Sequence, residues 1–392
     1  MLTSMAYLFL FGLFFSHIAK KLKLPSLVGL IFAGILVGPY GLNLLSQTTL
    51  AISQDLRQFA LIIIITRAGL SLKLDDLKKV GRPALFMSFI PASLEILGVV
   101  LVANLIFKIT FIDSLLLGAI LAAVSPAVVV PRMISLIENK YGTDKGVPQL
   151  ILAGASLDDI YVLVLFSTFI TLTGDGNFSP LALLKAPISL LSGIILGLIF
   201  ALLILRMFNK FKSRISTKVL ILLSLSFLFM EVEQLLENVL PISALIAIIT
   251  LGLMINKKQP KLARTLSSHY ETLWIAGEIV LFTLLGASVD VSYIGLAGVD
   301  ALIIIFIGLL FRMLGVYLSL IKTHFNKKEK LFIALAYTPK ATVQAALGPV
   351  PLAMGLASGQ IILTISAIAI LTTAPLGALF IDKLHQNYLI KN

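Results

Sequence analysis

The run YTPKATVQAALGPVP, residues 337–351, sets one lysine and three prolines inside an apolar stretch. Proline removes a backbone N–H and its ring crowds the preceding turn, so a helix entering this run opens near Thr338 and Pro339 into shorter pieces. The run VSPAVVVP at 124–131 has the same character, with Pro126 and Pro131 as its breaking residues. In a hydrocarbon layer, irregular backbone persists only where protein or a water-filled cavity covers it. Two broken helices flanking one enclosed site are therefore expected.

The rest of the chain supports a membrane setting. Of 392 residues, 58% are hydrophobic and 13% charged, with mean hydropathy +1.04; a soluble domain carries about 25% charged residues. Apolar runs define thirteen spans: 2–18, 26–45, 56–72, 83–107, 113–137, 147–173, 181–205, 216–236, 241–256, 270–289, 298–321, 330–352 and 358–381. Each suits a crossing of about 30 Å at roughly 1.5 Å per helical residue, and none resembles a barrel strand. The net charge of +12 comes from basic residues between apolar spans rather than on a water-facing patch, so no nucleic-acid partner is expected. Segments on one side, including Lys73, Lys78, Lys79 and Lys212, hold 25 basic residues, against Arg57, Lys108 and Lys185 on the other. The positive-inside rule then puts the N-terminus outside and the C-terminus in the cytoplasm. The first span lacks a preceding charge and is followed by Lys20, Lys21 and Lys23, opposite to a cleavable signal peptide. Cysteine is absent and the four histidines lack metal-ligand spacing, so neither a thiolate centre nor a cofactor is expected.

The two halves repeat at a spacing of 211–217 residues. Residues 82–101 align with 299–318, which sets Glu95 opposite Arg312 and Gly98 opposite Gly315. Residues 122–130 align with 335–343, pairing Ser125-Pro126 with Thr338-Pro339, and Gln149 meets Gln360. Six spans per copy plus the linking span 181–205 invert the second copy, an arrangement used by secondary transporters, whose ion sites lie between matched broken helices. Glu95 and Arg312, opposite in sign at equivalent positions, read as a buried structural pair. A simple two-residue pair should recover much of its stability when the two signs are exchanged.

Span six contains SLDDIYV, with Asp158 and Asp159 side by side among apolar residues. A charge at mid-membrane costs at least about 2.5–3.5 kcal/mol, so idle carboxylates are disfavoured. Neighbours on a helix point about 100° apart, so one carboxylate can meet a buried cation while the other meets an ion. A carboxylate taken out of water weighs a proton against a small hard cation, and that competition is the chemistry of exchange. Lys340, just beyond the second break, is the natural partner for one aspartate. Arg67 and Glu278 are further charges within or near spans; Glu231, Glu233 and Glu237 mark the outer end of span eight.

Together SPAVVVPRM, SLDDIYV, TPKATVQAALG and TRAGLSL resemble the monovalent cation/proton antiporter superfamily, the sodium/proton exchangers, nearest to the branch of NapA-type antiporters and animal NHA exchangers. The resemblance covers essentially the whole chain. It implies an all-α, integral membrane fold of thirteen transmembrane helices, NhaA-like, with inverted six-helix repeats and two crossing broken helices. It also implies a homodimer in membrane lipid, with scaffold helices at 1–82 and 216–297, ion-transport core at 83–173 and 298–392, and a linker at 174–215. Carried onto this chain, Asp159 holds the ion or proton, Asp158 is its neighbour paired with Lys340, and Glu95 with Arg312 forms the core pair. Many relatives carry an aspartate in the first break, where this chain has Ser125, Pro126 and Ala127. Ser125 therefore joins the aspartates as an ion-binding candidate. The implied activity is exchange of a monovalent cation, Na⁺ or Li⁺, for protons, in a bacterial cytoplasmic membrane. A potassium/proton antiporter or a channel is the alternative; an intramembrane aspartyl protease fits less well, since it holds its two carboxylates on separate helices.

Overall fold

A computed structural model describes residues 1–71, 81–173, 180–211, 213–236 and 240–391. Leu72, Lys73, Lys78, Lys79, Lys212 and Glu237, named above, lie outside the described residues, as does the side chain of Lys185. The described elements are helices: α1 Leu2–Lys21, α2 Ser26–Val37, α3 Gln47–Ala51, α4 Ser53–Ser71, α5 Arg82–Met87, α6 Ile90–Phe107, α7 Phe111–Ala122, α8 Pro126–Glu138, α9 Val147–Thr173, α10 Pro180–Lys210, α11 Ile215–Leu236, α12 Ala244–Lys258, α13 Pro260–Ser288, α14 Val291–Ser319, α15 Lys327–Ala336, α16 Thr342–Leu347, α17 Val350–Ala353 and α18 Gly359–Tyr388. One bridge, Tyr141 to Lys391, is the single extended pairing among the described residues.

Nine described helical stretches are long and apolar enough to cross a membrane. The other four expected spans fail on length or charge. The helices α2 and α12 are short, α4 carries Asp55, Arg57 and Arg67, and the twelfth span is divided among α15, α16 and α17. An unbroken helix is what a backbone without solvent requires, and proline withdraws it locally.

The chain divides into two compact units. One comprises the described residues of Met1–Arg57, Asp76–Val162 and Ile279–Asn392. Here α6 lies along α14, and Gly98 and Gly315 make the crossing close: a Cβ on Gly98 would stand 2.7 Å from the Phe311 ring, and one on Gly315 2.5 Å from Pro91 Cα. A core of Met87, Val124, Val129, Ile151, Phe332 and Tyr337 fills the space beside both breaks. At α15 the N-terminus is closed by a capping box, Asn326 accepting from the Glu329 N–H at 2.9 Å and Glu329 from the Asn326 N–H at 2.7 Å. Lys145 adds a 2.8 Å ion pair to the buried Glu329. The other unit comprises the described residues of Gln58–Asp75 and Leu163–Glu278. In it α10 packs on α12, Ser243 caps α12, and Arg67 pairs with Glu271 at 3.0 Å near the surface.

The first break falls at Ala123–Ser125, between α7 and α8, and the second at Tyr337–Ala341, between α15 and α16. Pro126 starts α8 at a position where its missing N–H costs nothing. Pro131 corrects the expectation: it lies inside α8, which continues through it. A proline there forfeits one bond, to the carbonyl of Ala127, and Arg132 donates to the next carbonyl, Val128 O, at 3.1 Å. Its guanidinium also holds Asp382 at 3.0 and 3.1 Å, which ties α8 to α18.

Candidate ion site

The two breaks meet. Ser125 N–H donates to Pro339 O at 2.8 Å, so each interrupted backbone supplies a partner that the other lacks. The remaining freed groups take side chains. Val124 N–H donates to Asp158 Oδ2 at 3.0 Å, Gln344 Nε2 donates to Ile120 O at 2.8 Å and Ala123 O at 3.0 Å, and Arg312 donates to Tyr337 O at 2.7 Å and to Ala122 O. Beyond the second break, Lys340 N–H donates to Thr373 Oγ1 at 2.9 Å, while Thr338 Oγ1 donates back to Leu335 O at 2.8 Å and ends α15.

Arg312 is the centre of this arrangement. It is fully buried and uses all three guanidinium nitrogens, reaching Glu95 Oε2 at 2.7 Å and Asp158 Oδ2 at 2.9 Å besides the two carbonyls. Tyr337 lies under the guanidinium at 5.0 Å, anchored by its hydroxyl to Met87 O at 3.3 Å. Lys340, also buried, donates to Glu95 Oε2 at 2.7 Å. In this structure Lys340 thus pairs with Glu95, and Asp158 takes Arg312 instead. Span geometry explains the change: Arg312 enters from α14 between Glu95 on α6 and Asp158 on α9, and its planar fork serves two carboxylates and two carbonyls at once.

Asp158 is completely buried, whereas Asp159, one position on along α9, is partly exposed although its Oδ1 is enclosed. Ser125 Oγ, Asp158 Oδ1, Asp159 Oδ1 and Gln344 Oε1 are buried without a hydrogen-bond partner among the described residues. Buried polar atoms are ordinarily satisfied, so four such oxygens around one crossing mark a place for a ligand. Among the described residues no group of three or more His, Cys, Asp or Glu could hold a tightly bound metal. The arrangement suits a cargo ion held by few oxygens.

Of the residues named from the sequence, Asp158, Ser125, Lys340, Glu95, Arg312 and Pro339 are joined by these contacts, Pro126 and Thr338 stand at the two breaks, and Asp159 follows Asp158 on α9. Sequence reasoning passed over Gln344, Tyr337 and Thr373. Gln344 carried a signal, as a polar residue one helical turn beyond Lys340 in an apolar run; Thr373 carried none in the sequence.

The family model described as sodium/hydrogen exchanger, transmembrane, matches residues 5–382. Sodium/hydrogen exchanger 9B1 of Homo sapiens is 32% identical over 387 residues, covering 94% of this chain and 73% of that protein. Sodium/hydrogen exchanger 9B2 of Homo sapiens is 31% identical, covering 94% and 70%. The solved structure of the sodium proton antiporter MjNhaP1 from Methanocaldococcus jannaschii at pH 8 matches with a TM-score of 0.83, over 98% of this chain and 97% of that one, at 22% identity. These relatives are human and archaeal, so the bacterial membrane expected above draws no support from them.

Proposed function

The chain belongs to the sodium/hydrogen exchanger family, and from that premise we propose that it exchanges Na⁺ or Li⁺ for protons by alternating access, cation and proton competing for Asp159. Members of this family are integral multi-pass transporters rather than enzymes, which sets aside the aspartyl protease. The observation that carries the reading is the distribution of charge at the crossing. With every group ionised, three carboxylates (Glu95, Asp158, Asp159) meet two cations, Arg312 engaged with Glu95 and Asp158 and Lys340 with Glu95. Asp159 alone has no cation in contact among the described residues, and it is the one with some exposure. One added positive charge neutralises the cluster, whether it arrives as a proton or as Na⁺. This supports one-for-one exchange. A charge left unneutralised in low dielectric is costly, so the loaded forms are the ones suited to the step that changes access.

The thirteen-crossing, inverted-repeat architecture belongs to the same proposal, supported by the resemblance and by two breaks that satisfy one another at Ser125 and Pro339. So do a homodimer and a mobile core at 83–173 and 298–392, the ranges that contain both breaks and every charge of the cluster. A cytoplasmic C-terminus rests on the basic asymmetry of the loops.

The test is cation-induced dequenching of a pH dye in proteoliposomes, scanned over Na⁺, Li⁺ and K⁺. Asp159→Asn should abolish exchange while the protein still inserts and melts cooperatively, because an amide carries no titratable charge. Substantial exchange by well-folded Asp159→Asn would remove the proposal.

A further inference from the structure

We propose that Gln344 supplies, through Oε1, a further oxygen ligand to the transported cation; the inference rests on the Asp159 reading above. Gln344 lies on α16 and is fully buried. Its Nε2 donates to Ile120 O and Ala123 O, and this fixes the amide: flipped, its oxygen would face two carbonyl oxygens. Oε1 therefore points away from the end of α7, and it has no partner among the described residues.

The backbone at the first break has little left to offer an ion. The carbonyls of Ile120 and Ala123 are taken by Gln344 and that of Ala122 by Arg312, and the Val124 and Ser125 N–H groups are engaged by Asp158 and Pro339. Broken-helix ion sites commonly use such carbonyls. Here three of those carbonyls already accept side-chain donors, and Ser125 Oγ, Asp158 Oδ1, Asp159 Oδ1 and Gln344 Oε1 stand unpartnered beside them. Asp158 is bonded to Val124, Gln344 to Ala123, and Ser125 follows them, so three residues with an unpartnered oxygen meet consecutive positions 123–125 while Asp159 adjoins Asp158. A neutral amide oxygen completes the ligand shell without changing the charge balance set by Asp159. Through Nε2 the same side chain also keeps the break open, so its two ends serve separate purposes.

The experiment titrates Na⁺ and Li⁺ in proteoliposomes of the full chain carrying Gln344→Met or Gln344→Asn, with melting of each purified protein alongside. Gln344→Met removes both ends, whereas Gln344→Asn keeps a neutral amide with both ends on a stem one methylene shorter, so the charge of the cluster is unchanged. The ligand role predicts that Gln344→Met raises half-saturating Na⁺ at least about tenfold, more than it lowers the maximal rate, and that Gln344→Asn raises it by less. If both variants lower melting temperature and maximal rate together and leave half-saturation unmoved, or if neither folds, Gln344 only holds the break and the inference is overturned. Asp159→Asn in parallel separates the two claims. Persisting exchange there defeats the site reading itself; abolished exchange with unchanged half-saturation in Gln344→Met defeats the Gln344 inference alone.

Discussion

Exchanging the signs of Glu95 and Arg312 should fail to rescue the protein, although a two-residue ion pair would tolerate it. Arg312 is bound to Glu95, Asp158, Tyr337 O and Ala122 O, and Glu95 Oε2 is shared with Lys340. Arg312→Glu therefore sets a carboxylate against Asp158 and two carbonyl oxygens, while Glu95→Arg sets a guanidinium against Lys340. Two like charges about 4 Å apart repel by roughly 4 kcal/mol at an effective dielectric of about 20. Two such contacts, near 8 kcal/mol in sum, rival the whole stability of a typical domain, about 5–15 kcal/mol. Removing one partner alone, as in Glu95→Gln, should cost about 3–5 kcal/mol, or roughly 6–10 °C at about 2 °C per kcal/mol. The ordering of melting temperatures is thus wild type, then Glu95→Gln, then the exchanged pair, which should also lack transport in proteoliposomes. An exchanged pair that melts within roughly 2 °C of wild type would show that the bonds of Arg312 to Asp158 and the two carbonyls do not hold it.

Lys340→Met leaves Glu95 with Arg312 and removes one charge-assisted bond, so it should cost about 1.5–3 kcal/mol in melting studies while Na⁺ and protons still compete in exchange assays; complete loss of competition in a folded variant would give Lys340 a direct part in carrying ions. At the α6–α14 crossing, Gly315→Ala meets the backbone of Ile90 and Pro91, whereas Gly98→Ala meets only the Phe311 side chain. Overpacking costs about 1–3 kcal/mol, and Gly315→Ala should lie at the upper end and Gly98→Ala at the lower; equal melting temperatures would contradict this packing. Reporter fusions after Lys391 should be active in the cytoplasm, and activity outside the cell would reverse the orientation argued from the loops.

Much of this was legible because the membrane restricts what a sequence does. Where no water satisfies a backbone, Pro126 and Pro339 have few structural consequences open to them, and both stand at breaks. Buried charges are equally conspicuous, so Glu95, Asp158, Arg312 and Lys340 stood out without any structure. The Glu95–Arg312 pair was legible as well, but the partners of Lys340 and Asp158 were not. The choice between Asp158 and Glu95 for Lys340 depends on where α6, α9 and α14 cross, and a linear sequence gives the depth of a residue but not its azimuth. Pro131 misled for a related reason: its place within the first turns of α8 reduced its effect to one lost bond. Gln344 was hidden because an amide in an apolar helix is a weak signal until its two carbonyl partners are known.

The sequence distances spanned by Arg312 bear on how the chain is made. Its carboxylate partners precede it by 217 residues at Glu95 and 154 at Asp158. At about 5–20 residues per second of synthesis, Glu95 and Asp158 are translated roughly 8–40 s before their counter-cation. During that interval the early helices have insertion without completion. Until α14 arrives, the N-terminal half holds buried carboxylates without the guanidinium that compensates them, which disfavours its packed form. Slow codons placed ahead of Arg312 should reduce yield more than the same codons placed after Lys340.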